Sequence, residues 1–119
     1  WVQRKGEQIL TVHKENIQRA FKAGVKIVNG SDSGVSGHGR NARELEMLVE
    51  IGMSPQEAIE SATRVASRCL GLEEVIGTLE PGKFADLLII DGNPLENISY
   101  LSDQRSIAAV MKEGELFIS

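Results

Sequence analysis

Between Gly30 and Gly39 the sequence reads Gly-Ser-Asp-Ser-Gly-Val-Ser-Gly-His-Gly. Two of these side chains have the chemistry for a reactive centre. The carboxylate of Asp32, with Gly30 and Gly34 leaving space beside it, can bind a divalent metal ion or take a proton from a water that such an ion activates. A turn aspartate can instead bond its own backbone, and both readings stand on position alone. His38, between Gly37 and Gly39, has no bulky neighbour in sequence and suits a ligand or substrate contact. Ser31, Ser33 and Ser36 lack a nucleophile-elbow context and a clear base. Amides exposed by glycines ahead of a helix attract anions, but there is no Gly-Lys-Ser/Thr ending and no dinucleotide-type glycine spacing.

A zinc site needs roughly three or four donors. The chain offers two histidines, one cysteine and scattered carboxylates without a short ligand spacing, so it does not encode a complete metal site. His13, at the spacing of Leu10 and Ile17, reads as a packed or interfacial histidine, and Cys69, among apolar helix positions, as a small core residue.

The elements that must position Asp32 follow from pattern. Ile9, Leu10, Ile17, Ala20 and Phe21 share a helical face from Gly6 to Ala23, and Gly24 supplies a stop. Val25 to Asn29 is short and β-branched, as in a strand buried on both faces of a parallel sheet. Asp32 therefore falls just past the carboxyl end of a strand, where α/β folds collect their active sites. A lone parallel strand cannot satisfy its backbone, so its neighbours must come from residues before Trp1 or from another copy.

After the loop, Asn41 is placed to cap a helix that ends near Gly52. Ser54, Pro55 and Glu57 then form a capping box opening a helix to Leu70, whose inner face is Ala58, Ile59, Ala62, Ala66, Cys69 and Leu70. Beyond Gly71, Ile76 to Glu80, Phe84 to Asp91, Ile107 to Met111 and Glu115 to Ile118 read as strands. Pro81-Gly82 sets a type II turn and Glu113-Gly114 a tight hairpin. Two territories result, residues 1–71 and 72–119.

Composition narrows the class. The 119 residues carry a net charge of −4, with 41% hydrophobic residues and a single cysteine, an ordinary globular balance without an internal disulfide. That cysteine usage suits a reducing, cytoplasmic interior. No apolar run is long enough for a membrane span. The basic residues Arg4, Lys5, Lys14, Arg19, Lys22 and Lys26 are spread over helical positions without interleaved aromatics, a solvated face rather than a nucleic-acid groove. The start at Trp1, with neither initiating Met nor signal-peptide order, reads as a piece of a longer chain.

The motifs Asn29-Gly30-Ser31-Asp32-Ser33-Gly34, His38-Gly39-Arg40-Asn41-Ala42-Arg43-Glu44-Leu45 and Gly52-Met53-Ser54-Pro55-Gln56-Glu57-Ala58-Ile59 together resemble the carboxyl-terminal end of the metal-dependent amidohydrolases. Ile76 to Leu95, with Glu80-Pro81-Gly82-Lys83-Phe84-Ala85-Asp86-Leu87 at its centre, resembles that family's ending almost throughout. The resemblance covers essentially the whole chain and lies nearest the imidazolonepropionase-like and Xaa-Pro dipeptidase-like subgroup. It implies an α/β fold: the last strand and helices of a (β/α)8 TIM-type barrel over 1–71, then strands of a small β-sandwich over 72–119. Asp32 maps onto the aspartate at the end of the eighth strand, a metal ligand and proton shuttle, and His38 would face substrate.

The implied reaction is hydrolysis of a dipeptide, an N-acyl amino acid or a cyclic amide by hydroxide activated on one or two divalent ions, zinc above all. The His-x-His pair, the lysine and the two later histidines of that family have no counterpart between Trp1 and Ser119. The stretch is therefore expected to bind no metal tightly and to hydrolyse nothing alone, and to self-associate through its uncovered apolar faces. A non-catalytic, self-associating remnant of the fold is the competing expectation.

Overall fold

A computed structural model describes the backbone of residues 2–32 and 40–118. The helices α1 (Val2–Lys22), α2 (Arg43–Glu50), α3 (Pro55–Ala62) and α4 (Arg64–Leu70) precede the sheet. Strand β1 (Leu87–Ile90), two short 3-10 turns (Ile98–Leu101 and Gln104–Ser106), β2 (Ile107–Lys112) and β3 (Glu115–Ile118) complete the order.

Helix α1 begins at Val2, ahead of the expected Gly6, and closes where Gly24 takes φ +80° and donates its amide to the Phe21 carbonyl at 2.9 Å. Helix α2 starts two residues past Asn41. Ala42 is already helical and offers no capping side chain, so the Glu44 amide bonds the Asn41 carbonyl at 3.3 Å rather than its side chain. Helix α3 opens with the expected capping box. The Ser54 hydroxyl accepts the Glu57 amide at 3.2 Å, and the Glu57 carboxylate accepts the Ser54 amide at 2.8 Å.

The helix expected from Ser54 to Leu70 is two helices, broken at Thr63 (φ −126°, ψ −95°), whose hydroxyl donates to the Ile59 carbonyl at 2.8 Å. Such back-bonding bends helices. The break re-phases the second half, and Ser61 beside Ala62 takes the inward position. Ala58 is fully buried and Ser61 and Ser67 are buried, while Ala62, Cys69 and Leu70 are exposed, contrary to the expected inner face.

Val25 to Asn29 is not a doubly buried strand. It pairs with no strand among the described residues, and Val25 is 53% exposed. Ile76 to Glu80 is not a strand either. The Leu72 carbonyl accepts the amides of both Val75 and Ile76 at 3.0 Å, and the chain turns at Gly77 beneath α4.

The sheet is antiparallel in the order β1-β2-β3, with Leu88 opposite Val110 and Val110 opposite Phe117. Phe84 to Asp91 shortens to β1, and its residues Leu88 and Ile89 are about half exposed rather than buried in a core. The expected turns are present. Lys83 N–H reaches the Glu80 carbonyl at 3.2 Å with Gly82 at φ +92°, and Glu113 and Gly114 both have positive φ.

One core serves both territories. Leu45, Leu48, Ile51, Met53 and Ala58 pack with Ile98, flanked by Ile17, Phe21, Ile27 and Leu101.

The β2–β3 hairpin is tied from outside the sheet. Asp86 accepts the Glu113 amide at 2.7 Å and the Lys112 ammonium at 2.9 Å, and these two bonds, the amide first, hold its carboxyl below the usual carboxylate range. A depressed folded pKa stabilises the fold above the unfolded value of about 4 and is lost as pH falls through the folded one. On acidification from about pH 5 to about pH 3, the thermal midpoint of the native chain is expected to fall more steeply than that of Asp86→Asn. Equal slopes would show that Asp86 does not anchor the hairpin.

Candidate active site

Asp32 reaches its position through two local events. After α1 closes at Gly24, Ile27 turns half-buried toward the core, and the Asn29 amide donates to the Ser61 carbonyl at 3.1 Å. That carbonyl lies in the last turn of α3, where helical acceptors have no intrahelical donor, so the tether satisfies an otherwise orphaned group. Three residues on, Asp32 sits at φ +42°, in the left-handed region, with its side chain exposed. Aspartate tolerates this conformation better than most residues, and non-glycine residues held there cluster at ligand and active sites.

His38 lies outside the described residues, as do Ser33 and Ser36. The chain resumes at Arg40 and enters α2 at Arg43. His13 is exposed on α1 rather than packed. Cys69 is exposed on α4 and far in sequence from any other candidate.

Among the described residues no group of three or more histidine, cysteine, aspartate or glutamate side chains could hold a metal ion. Asp32 fits such an ion as a single exposed oxygen ligand, one of the roughly three or four that a site requires. A shallow cleft of about 230 Å³, lined by Phe21, Val25, Ile27, Met53, Ser61 and Val65 among others, does not include Asp32.

The Glu80 to Leu87 segment is a structural knot. Lys83 donates to the Thr78 hydroxyl at 2.6 Å and pairs with Glu80 at 2.8 Å, and the hydrogen bond from Lys83, then that from Thr78, lowers the Glu80 pKa.

Sequence reasoning missed one contributor to the site and one long-range contact of the helix that follows it. Ser61 carries the tether through its backbone carbonyl, which leaves no mark in residue type. Glu46 on α2 accepts a hydrogen bond from the Ser102 hydroxyl, and nothing in the sequence links residues so far apart.

The Amidohydrolase family pattern matches residues 3–117. An ochratoxinase of Aspergillus niger is 38% identical over 107 residues, covering 88% of this chain and 22% of that enzyme's length. An imidazolonepropionase of Symbiobacterium thermophilum is 34% identical over 70 residues, covering 59% of this chain and 16% of its own. Among solved structures, a Xaa-Pro dipeptidase with methionine bound in its active site superposes with a TM-score of 0.82 at 40% identity, over 89% of this chain and 25% of that one. The chain thus spans about a fifth to a quarter of the length of the first of these enzymes and of the dipeptidase.

Proposed function

Because the chain belongs to the amidohydrolase family, we propose that it forms the closing part of an enzyme that hydrolyses an amide or related C–N bond, with Asp32 at the reacting centre. The observation that carries this reading is the backbone of Asp32, held at φ +42° three residues beyond the Asn29–Ser61 tether and within the motif that resembles the family's metal-binding aspartate.

In this reading residues 1–71 supply the last strand and helices of a TIM-type barrel and residues 72–119 strands of a β-sandwich. Val25 to Asn29 becomes a ladder strand only beside the rest of that barrel, in keeping with the lack of a partner strand among the described residues and the exposure of Val25 and Val28. A divalent metal, zinc or a similar ion, would supply Lewis-acid activation of the attacking water. Asp32 would be one of its ligands. Its carboxylate takes the proton released as the water attacks and returns it to the leaving nitrogen. His38 contacts the substrate. Dipeptides, N-acyl amino acids and cyclic amides are the substrate classes, and neither nucleic acid nor membrane is a partner.

The exposed Val25, Leu88, Ile89, Leu116 and Phe117 favour self-association of this stretch on its own, and the unpaired Cys69 a reducing, cytoplasmic setting. No helix among the described residues is long and apolar enough to cross a membrane.

The test is hydrolysis by the intact enzyme of a panel of Xaa-Pro dipeptides, N-acyl amino acids and cyclic amides, before and after chelation and zinc replenishment. The expected result is turnover of at least one class, lost on chelation and restored by zinc. No turnover of any class by metal-replete protein would leave the self-associating, non-catalytic reading.

A further inference from the structure

Thr63 ends α3 by displacing its own backbone. In a continuing helix the Thr63 amide would bond the Ile59 carbonyl, four residues back. Here the Thr63 hydroxyl donates to that carbonyl at 2.8 Å, and the amide turns to the Glu60 carbonyl at 3.2 Å. Side chains of serine and threonine compete with the helix in this way. With φ −126° and ψ −95° the chain then leaves the helical region, and the Thr63 carbonyl starts α4 by accepting the Ser67 amide at 2.8 Å.

The break changes the partner of one carbonyl. In an unbroken helix the Ser61 carbonyl would take the amide of residue 65. At the break it accepts the Asn29 amide at 3.1 Å. A backbone N–H is a single donor, so this amide, the last of the run Val25 to Asn29, is engaged by α3 whatever strands adjoin the run in the enzyme. Only Gly30 and Ser31 separate it from Asp32, which therefore lies within about 11 Å of chain from the anchor.

We infer that Thr63 is a positioning residue for Asp32: by ending α3 with its hydroxyl it leaves the Ser61 carbonyl to the Asn29 amide, the last backbone anchor ahead of the reacting carboxylate. The inference deepens the proposed function and rests on it for its effect on catalysis. The Thr63 side chain is exposed, so replacing its hydroxyl by a methyl group removes no core packing. Without the hydroxyl the Ile59 carbonyl returns to the amide of residue 63, α3 runs on toward α4, and the Val65 amide competes with Asn29 for the Ser61 carbonyl. The loss falls on kcat, because the reacting carboxylate shifts while substrate contacts made elsewhere in the enzyme stay.

The test compares Thr63→Val, Thr63→Ser and Thr63→Ala in the intact enzyme, by amide hydrogen exchange and by kinetics. Thr63→Val is expected to speed exchange at the Asn29 amide about tenfold relative to the Ala58 amide of α3. It is also expected to lower kcat roughly tenfold, with KM within about twofold of the parent. Thr63→Ser, which keeps the hydroxyl, restores both, and Thr63→Ala repeats the valine result where the valine variant folds poorly. Placed on Asp32→Asn, Thr63→Val should lower kcat no further, since the carboxylate it positions is already gone.

Unchanged exchange at the Asn29 amide overturns the inference. So does faster exchange with unaltered kcat, or a loss of kcat that is as large on Asp32→Asn as on the parent. If the parent enzyme hydrolyses no member of the substrate panel, it is the proposed function that has failed, and exchange at Asn29 alone decides whether Thr63 sets the anchor.

Discussion

Asp32→Asn in the intact enzyme is expected to lower kcat on the order of a thousandfold, the range lost when a positioned proton acceptor is removed. Asparagine keeps the size of the side chain and tolerates a φ of +42° nearly as well as aspartate, so the local backbone is retained and the loss reports the carboxylate. Two further readings separate chemistry from folding. With metal removed from both, the thermal midpoint of the variant should match the parent, because the Asp32 side chain is exposed and the Asn29–Ser61 tether is untouched. Bound metal, measured on the purified protein, should fall, because a neutral amide oxygen is a weaker ligand for a hard cation than a carboxylate. Alanine is the less informative substitution, since it adds the cost of a left-handed φ to the lost charge. A kcat for Asp32→Asn within about tenfold of the parent would remove Asp32 from the proton-transfer role.

The largest expected effect on stability comes from a glycine. Gly77 has φ +94°, and a Cβ there would lie 2.4 Å from the Ser67 hydroxyl oxygen, 2.6 Å from the Ser67 Cβ and 3.0 Å from the Thr63 carbonyl oxygen. Ser67 is buried and its hydroxyl donates to the Arg64 carbonyl at 3.0 Å, so it has little freedom to withdraw. Gly77→Ala combines an unfavourable backbone conformation with overpacking, and the two together are expected to destabilise the protein by roughly 2 to 5 kcal/mol. Urea unfolding of the parent and variant measures it. The double variant Gly77→Ala with Ser67→Gly should recover the packing share but not the backbone share, a non-additive result. A shift below about 0.5 kcal/mol for Gly77→Ala would show that α4 does not press on this turn.

The same contact explains one of the places where pattern and structure part. Ile76 to Glu80 has the residue types of a strand, yet its middle is wedged under α4 and no partner strand is present among the described residues. Helix propensity and apolar spacing likewise ran uninterrupted through Thr63. They could not register that its hydroxyl bonds the Ile59 carbonyl, and this is why Cys69 and Leu70 were assigned to a core they do not enter.

Features governed by a few adjacent residues were legible. Ser54, Pro55 and Glu57 make their capping box, Pro81 and Gly82 make their turn, and Glu113 and Gly114 close their hairpin, because each is a short-range hydrogen-bonding problem with one good solution. Asp32 was legible as a candidate because glycines flank it at the end of a β-branched run. Its tether to Ser61 was not, because a backbone carbonyl has no residue-type signature. The Ser102–Glu46 contact joins α2 to the segment between β1 and β2 and was likewise invisible to any local window.

The shared core also has a meaning for biosynthesis. A ribosome delivers Leu45 long before Ile98, and α2 buries part of its apolar side against that later residue. At translation rates of about 5 to 20 residues per second, the helix that follows the Asp32 loop waits several seconds for its partner. The nascent chain therefore reaches its finished arrangement around α2 only after the segment bearing Ile98 and Ser102 has emerged. A product that stops short of that segment leaves the side of Leu45 and Leu48 that faces Ile98 uncovered, although Ile51, Met53 and Ala58 are already in place beside them.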